Sequence, residues 1–177
     1  KFIKLVDDKS WTEFMPEGFT KEMFKKFAKY YDSNVFIEAG HIIRRRAKSY
    51  DKLDYIERAE KIAELFATFK NPDKETVLTP WRVINMQFGK TLGGLNFYDD
   101  SYQYMTLDGV STTHWVDKEE TKQLFKDGIN FLDINSKSGL YPLYVAISLY
   151  YKKIQEDNRF NPDEIYGNIL NNQVFAI

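Results

Sequence analysis

Cysteine is absent from this sequence of 177 residues, and histidine occurs only twice, at His41 and His114. The lack of cysteine excludes disulfide bonds, thiol catalysis and thiolate metal sites. Because the two histidines are far apart in the sequence, a zinc site is not expected. Asp99 and Asp100 form a pair of carboxylates, but no neighbouring residue completes a ligand set. No metal-binding residue is therefore predicted.

Long apolar runs and a strong net charge are missing as well. No run of about 18 apolar residues is present, so neither a transmembrane helix nor a membrane partner is expected. The formal net charge is −1, so no overall positive field attracts the chain to nucleic acid. The sequence begins at Lys1 without a recognisable signal peptide, which favours an excised fragment of a cytoplasmic protein.

Core-forming residues, in contrast, are plentiful. Hydrophobic residues make up 43% of the chain, with 14 Phe and 12 Tyr, which is a globular and not a disordered composition. A chain of this length is expected to bury roughly two-thirds of its unfolded surface, so it needs no cross-link to fold. One domain, or one domain with a small helical appendage, is predicted.

The first part of the chain has helical periodicity. Thr20 is a candidate N-cap of one helix, and the pair Asp54 and Glu57 is a candidate capping box of another. A helix between them is predicted over residues 34–49 with an apolar face directed into a core. The members of that face are Val35, Phe36, Ala39, Ile42 and Ile43.

The turn Asn71-Pro72-Asp73 marks the predicted domain boundary. It should end the preceding helix, because a residue before proline avoids helical backbone angles. The sequence therefore predicts a helical N-terminal segment over residues 1–72 and a second domain over residues 73–177.

The second domain has the pattern of an α/β protein. Its Asp108-Gly109 pair predicts a hairpin, and an apolar strand, a polar turn, a helix and another strand follow. That order is the first βαβ unit of a doubly wound parallel sheet. The predicted elements are a short helix from Thr79-Pro80 to Gly93-Gly94, hairpin strands over 104–107 and 110–116, a short helix over 119–126, strands over 129–134 and 172–177, and a helix over 142–153.

The junction from Phe131 to Gly139 has the composition of a cofactor-binding turn. A strand that ends in Asp133 is followed by small residues and then by a helix N-terminus. Small residues let a ligand approach the backbone, the free N–H groups suit an anionic end, and the acid suits a hydroxyl or an ammonium group. Many strand-to-helix turns carry Asp and Gly only to turn the chain, so this pattern alone leaves both readings open.

Two motifs resemble a known family. Leu132-Asp133 followed by Ser138-Gly139 is similar to the first motif of N6-adenine-specific DNA methyltransferases, which usually reads Asp-Pro-x-x-Gly-Ser-Gly. Upstream, Thr79-Pro80-x-x-Val83-x-x-Met86 is similar to the Thr-Pro segment that these enzymes place before it. The phrases over 71–83 and 133–144 look like the methylase region of large restriction-modification or helicase-linked proteins. The resemblance extends from about residue 36 to residue 177.

This resemblance implies a fold, a function and a set of binding residues. The fold would be α/β, with an N-terminal helical segment followed by the start of a Rossmann-like sheet of S-adenosylmethionine-dependent methyltransferases. The chain would be a fragment of an adenine-specific DNA methyltransferase of the restriction-modification type. It would bind S-adenosylmethionine, and DNA would be a partner through the full-length parent. The cofactor-binding residues carried over from the family are Thr79, Pro80, Asp133, Asn135, Ser138 and Gly139.

The departures from the family pattern favour a different class of function. Ile134 stands where the family has proline, and Lys137 where it has the first glycine. The family's Asn/Asp-Pro-Pro-Tyr tetrapeptide, which binds the target adenine, is absent, so no catalytic residue is assigned and the fragment alone is expected to be inactive. The alternative is a degenerate, non-catalytic module that binds DNA or a partner domain in a restriction or helicase assembly. The Thr79-Pro80 segment favours the enzyme.

Two further motifs carry weaker indications. Gly89-Lys90-Thr91 resembles the end of a phosphate-binding loop, but Ile84 stands where that pattern needs its first glycine, so a nucleotide triphosphatase is not predicted. The basic run Arg44-Arg45-Arg46 suits contacts with DNA phosphates. A solvated helix face is the favoured interpretation of that run.

Overall fold

The computed structural model describes residues 6–28, 30, 32–69, 78–156 and 161–177. The chain divides into two compact units, Lys1–Lys48 and Ser49–Ile177. The predicted boundary at residue 72 differs from this division, because the helix before it contributes Ala59 and Ala63 to the core of the second unit. The turn Asn71-Pro72-Asp73 itself lies outside the described residues.

The first unit is helical. Its helices are α1 (Asp8–Phe14), α2 (Lys21–Ala28) and α3 (Ser33–Ser49), the last residue of which belongs to the second unit. The predicted cap at Thr20 is confirmed, because its Oγ1 accepts a hydrogen bond from the Met23 N–H at 3.2 Å. Trp11 is buried, and its ring packs against Phe19 and Phe24.

The prediction that α3 directs its apolar face into a core is wrong for the residues that the structure describes. Val35, Ile42 and Ile43 are 63%, 47% and 37% exposed, and Ala39 is exposed as well. The side chain of Phe36 lies outside the described set. Periodicity identifies the apolar face of a helix, but whether another element covers that face depends on tertiary packing.

The second unit is built around one buried helix. Its helices are α4 (Tyr55–Ala67), α5 (Trp81–Lys90), α6 (Leu140–Glu156) and α7 (Pro162–Asn172). In α6, Tyr144, Ala146, Ile147 and Ser148 are fully buried, because α4, α5 and α7 all pack against this helix. This explains why the sequence of α6 is apolar on more than one face.

Capping residues fix where two of these helices begin. The predicted N-cap at Asp54 is confirmed, since its side chain accepts hydrogen bonds from the N–H groups of Ile56 and Glu57. Asn161 caps α7 in the same way through the N–H of Asp163. The sequence prediction missed α7, although a cap followed by a proline in the first turn is a recognised start signal.

Two small antiparallel sheets lie between α5 and the cofactor-type junction. Strand β1 (Gly94–Asn96) pairs with β4 (His114–Val116), and β2 (Thr106–Leu107) pairs with β3 (Val110–Ser111). The predicted hairpin is confirmed in its turn, where Asp108 and Gly109 both have positive φ, as a type I′ turn requires. The predicted strand 110–116 is split, because its second half pairs with β1. Residues 119–126 form turns instead of the predicted helix.

The third sheet is parallel, as the sequence predicted. Strand β5 (Phe131–Asp133) pairs with β6 (Val174–Ala176), with Phe131 opposite Val174 and Asp133 opposite Ala176. Helices α6 and α7 form the connection between the two strands. The described residues thus combine helices with three two-stranded sheets, which agrees with the α/β class.

Candidate cofactor-binding site

The junction that follows β5 is fastened to the end of β6. The N–H groups of Asn135 and Ser136 both donate to the carbonyl oxygen of Ile177, at 2.9 and 2.8 Å, and the Ile177 N–H donates to the carbonyl of Asp133 at 3.0 Å. Asn135 has a φ of 74°, a conformation that asparagine tolerates better than most residues. These hydrogen bonds hold the loop in a sharp turn beside the last residue of β5.

The first turn of α6 lies at the same junction. The Leu140 N–H donates to Ser138 Oγ at 3.4 Å, and the Leu143 N–H donates to the carbonyl of Gly139 at 3.0 Å. Gly139 has a φ of 73°, and a Cβ added there would meet no atom within 4 Å. The backbone at Gly139 is therefore open to an approaching ligand, at the positive end of a 17-residue helix.

A cavity of about 230 Å³ lies at this junction and brings together two distant parts of the sequence. Thr79, which precedes α5, lines it together with the residues that link β5 to α6. Thr79 and the junction therefore line one cavity although they are far apart in the sequence. The predicted site residues that line this cavity are Thr79, Asp133, Asn135, Ser138 and Gly139.

The remaining predicted residue, Pro80, lines an adjoining cavity of about 350 Å³. The two cavities have Thr79, Ser138 and Leu140 in common. The walls of the second cavity are mostly apolar and include Phe66 of α4. Pro80 therefore belongs to a neighbouring apolar pocket and not to the polar one.

Two side-chain oxygens at the junction are buried without a hydrogen-bond partner among the described residues, namely Asp133 Oδ2 and Ser136 Oγ. Both residues line the polar cavity. A buried polar atom that lacks a partner costs about 1–3 kcal/mol, so a ligand that brings a hydrogen-bond donor to this place recovers that energy. The sequence prediction did not include Ser136, whose only signal was its position as a small polar residue inside the junction.

Charge is distributed unevenly around the polar cavity. Asp133, at its inner end, is half-buried, whereas Lys137 is exposed. The Lys137 N–H donates to the carbonyl of Asn135 at 2.9 Å, which fixes the backbone of this residue within the loop. The arrangement suits a ligand that carries both a cationic and an anionic group.

The tryptophan next to the Thr-Pro segment is part of the core. Trp81 is 4% exposed, and its ring packs against Phe97 and Tyr144 with centroid distances of 5.3 and 5.8 Å. Its packing joins α5 to α6.

The other motifs singled out in the sequence have local roles in the structure. Gly89 lies within α5, where an added Cβ would collide with Tyr102 Oη, so this glycine serves close packing and not a phosphate loop. Arg45 pairs with Glu38 at 3.3 Å on the exposed surface of α3, as expected of a solvated helix face. His114 Nδ1 lies 2.8 Å from the carbonyl oxygen of Thr112.

Over the described part of the chain, no helix is both long and apolar enough to cross a membrane. Within the same residues, no group of three or more histidine or carboxylate side chains is placed to hold a metal ion. Comparison of the chain with protein family models, with curated proteins and with solved structures found no match.

Proposed function

We propose that this chain binds S-adenosylmethionine in the polar cavity, as part of an adenine-specific DNA methyltransferase. The observation that carries the proposal is the meeting of Thr79 with Asp133 and Gly139 around one cavity. These residues come from the two motifs that resemble the methyltransferase family, and no local rule of secondary structure brings them together. The cavity also lies at the carboxyl end of the parallel strand β5, which is where α/β proteins usually bind ligands.

The side chains fit the amino-acid end of this cofactor. An ionised aspartate is purely a hydrogen-bond acceptor, and Asp133 Oδ2 is buried without a partner among the described residues. An ammonium group could supply the missing donors once a small side-chain adjustment brings Asp133 Oδ2 to the ligand, and Ser136 Oγ could accept a further hydrogen bond in the same way. When bound, S-adenosylmethionine supplies a methyl group activated by a sulfonium centre. The residues of this chain bind and orient the end of the molecule that does not react.

The size of the cavity suits the amino-acid end of S-adenosylmethionine better than the whole molecule. Its volume of about 230 Å³ is below the range of roughly 300–1,000 Å³ that is usual for pockets enclosing a whole ligand. An amino-acid group is enclosed here more readily than a complete nucleoside. The open space at Gly139 lets such a group approach the first turn of α6.

Calorimetric titration of the chain with S-adenosylmethionine tests the proposal. We expect saturable binding of one equivalent, with S-adenosylhomocysteine, which has the same amino-acid end, also binding and ATP not binding. Absence of binding at a ligand concentration of about 1 mM would overturn it, because a Kd above that value corresponds to less than about 4.1 kcal/mol of binding free energy.

A second candidate function is a non-catalytic module that binds a partner protein. Leu132 of β5 and Phe175 of β6 are 56% and 44% exposed, and Ile134 and Ile177, which directly follow these strands, are 75% and 79% exposed. Parallel sheets are normally covered on both faces, so this exposed face favours a covering partner. Failure of both S-adenosyl compounds to bind would favour this candidate over the first.

A further inference from the structure

Lys137 occupies an unusual place in the polar cavity. It lines the cavity at the loop between Asn135 and Ser138, and the residue as a whole is exposed. No carboxylate within the described parts of the chain forms an ion pair with it. The hydrogen bond from its N–H to the carbonyl of Asn135 fixes its backbone within the loop that lines the cavity.

The opposite charge lies deeper in the same cavity. Asp133 is half-buried, and its Oδ2 is completely enclosed without a partner among the described residues. An acidic residue and a basic one therefore line one small cavity from two positions. A group with positive and negative charges on neighbouring atoms, as in an α-amino acid, matches both at once.

We propose that Lys137 is a specificity-determining residue that binds the carboxylate of an α-amino-acid group whose ammonium is held by Asp133. This inference rests on the proposed function, since S-adenosylmethionine carries such a group. The first turn of α6 contributes further positive potential on the side of the carboxylate. The site thus distinguishes ligands that have the carboxylate from otherwise identical ligands that lack it.

The distinguishing experiment uses two ligands and three variants. S-adenosylmethionine and its decarboxylated form, which lacks only the carboxylate, are each titrated calorimetrically into the wild type, Lys137→Ala, Lys137→Arg and a control, Lys126→Ala. Lys126 is exposed and does not line the polar cavity. Thermal unfolding of each unliganded variant confirms that it is folded, which is expected because both lysines are exposed.

Lys137→Ala should lower the affinity for S-adenosylmethionine about fivefold, which is the upper end for a partly exposed charge pair. The affinity for the decarboxylated ligand should not change. Lys137→Arg should retain most of the affinity, and Lys126→Ala all of it. The fivefold difference should shrink at about 1 M salt, because the ionic atmosphere screens exposed charges over roughly 3 Å.

Equal losses for both ligands would overturn the inference, because the side chain would then act by packing and not through the carboxylate. No loss for either ligand would overturn it as well, while the cofactor proposal would stand. If the wild type binds neither ligand, the proposed function itself is wrong, and the role of Lys137 falls with it.

Discussion

Replacing Asp133 by alanine should weaken binding of S-adenosylmethionine at least about tenfold without lowering the stability of the unliganded protein. In the unliganded fold, Asp133 Oδ2 is buried without a partner among the described residues, an arrangement that costs about 1–3 kcal/mol. Removing the carboxylate removes this cost. In the proposed complex, the same carboxylate would accept hydrogen bonds from an ammonium, and hydrogen bonds to charged groups contribute about 1.5–3 kcal/mol. A loss of 1.4 kcal/mol is already a tenfold loss of affinity.

Two measurements separate these effects. Calorimetry gives the Kd of each variant, and thermal unfolding without ligand gives its stability. A ligand at 100 times its Kd stabilises a protein by about 2.7 kcal/mol, so a tenfold weaker variant at the same concentration should gain only about 1.4 kcal/mol. For a chain of this length, that difference amounts to roughly 3–5 °C in Tm.

Asp100→Ala is the matched control, because Asp100 is exposed and does not line the polar cavity. It should leave both the Kd and the Tm unchanged. Wild-type affinity in Asp133→Ala would refute the placement of the ligand. A strongly reduced Tm in the unliganded Asp133→Ala protein would show that the carboxylate stabilises the fold and contradict the reasoning from its unpaired oxygen.

Three further outcomes are expected. The chain alone should transfer no methyl group to adenine-containing DNA, because its sequence lacks the tetrapeptide with which adenine-specific DNA methyltransferases hold the flipped base. Incorporation of radiolabel that disappears in Asp133→Ala would disprove this. Asn85→Leu should lower the free energy of unfolding, measured with urea, by about 1–3 kcal/mol. The reason is that the buried Phe97 N–H, which donates to Asn85 Oδ1 at 2.9 Å, loses its acceptor. A loss below about 0.5 kcal/mol would contradict this expectation. The pKa of Asp99 is lowered to about 2, mainly by the hydrogen bond from the Ser101 side chain. The ionised carboxylate should therefore contribute stability that is present above pH 3.8 and lost as the pH falls towards 2. The stability of Asp99→Asn, measured by unfolding over that pH range, should depend less on pH than that of the wild type.

Local rules account for the parts of the fold that the sequence predicted. Thr20 and Asp54 cap helices because a side-chain oxygen next to free N–H groups is a short-range arrangement. The turn at Asp108-Gly109 requires two residues that accept positive φ, which is also a local property. The parallel pairing of β5 with β6 followed from the order of strand, helix and strand.

Prediction failed where a partner element decides the outcome. The apolar face of α3 is exposed although its periodicity is that of a buried helix. The stretch 110–116 is divided between two sheets, because β1 pairs with its second half. In both cases the local sequence sets which secondary structure is favourable. Whether a distant segment covers the helix face or pairs with the strand is decided by tertiary packing.

The candidate site divides in the same way. The sequence by itself determined which residues lie at the junction, since a strand ending in Asp133 and a helix starting beside Gly139 are set by local patterns. Only the tertiary structure brought Thr79 into the same cavity, moved Pro80 to the apolar pocket and left Ser136 Oγ buried without a partner among the described residues. The physical reason is that α6 is buried among three other helices, and this non-local packing fixes the distance between the start of α5 and the start of α6.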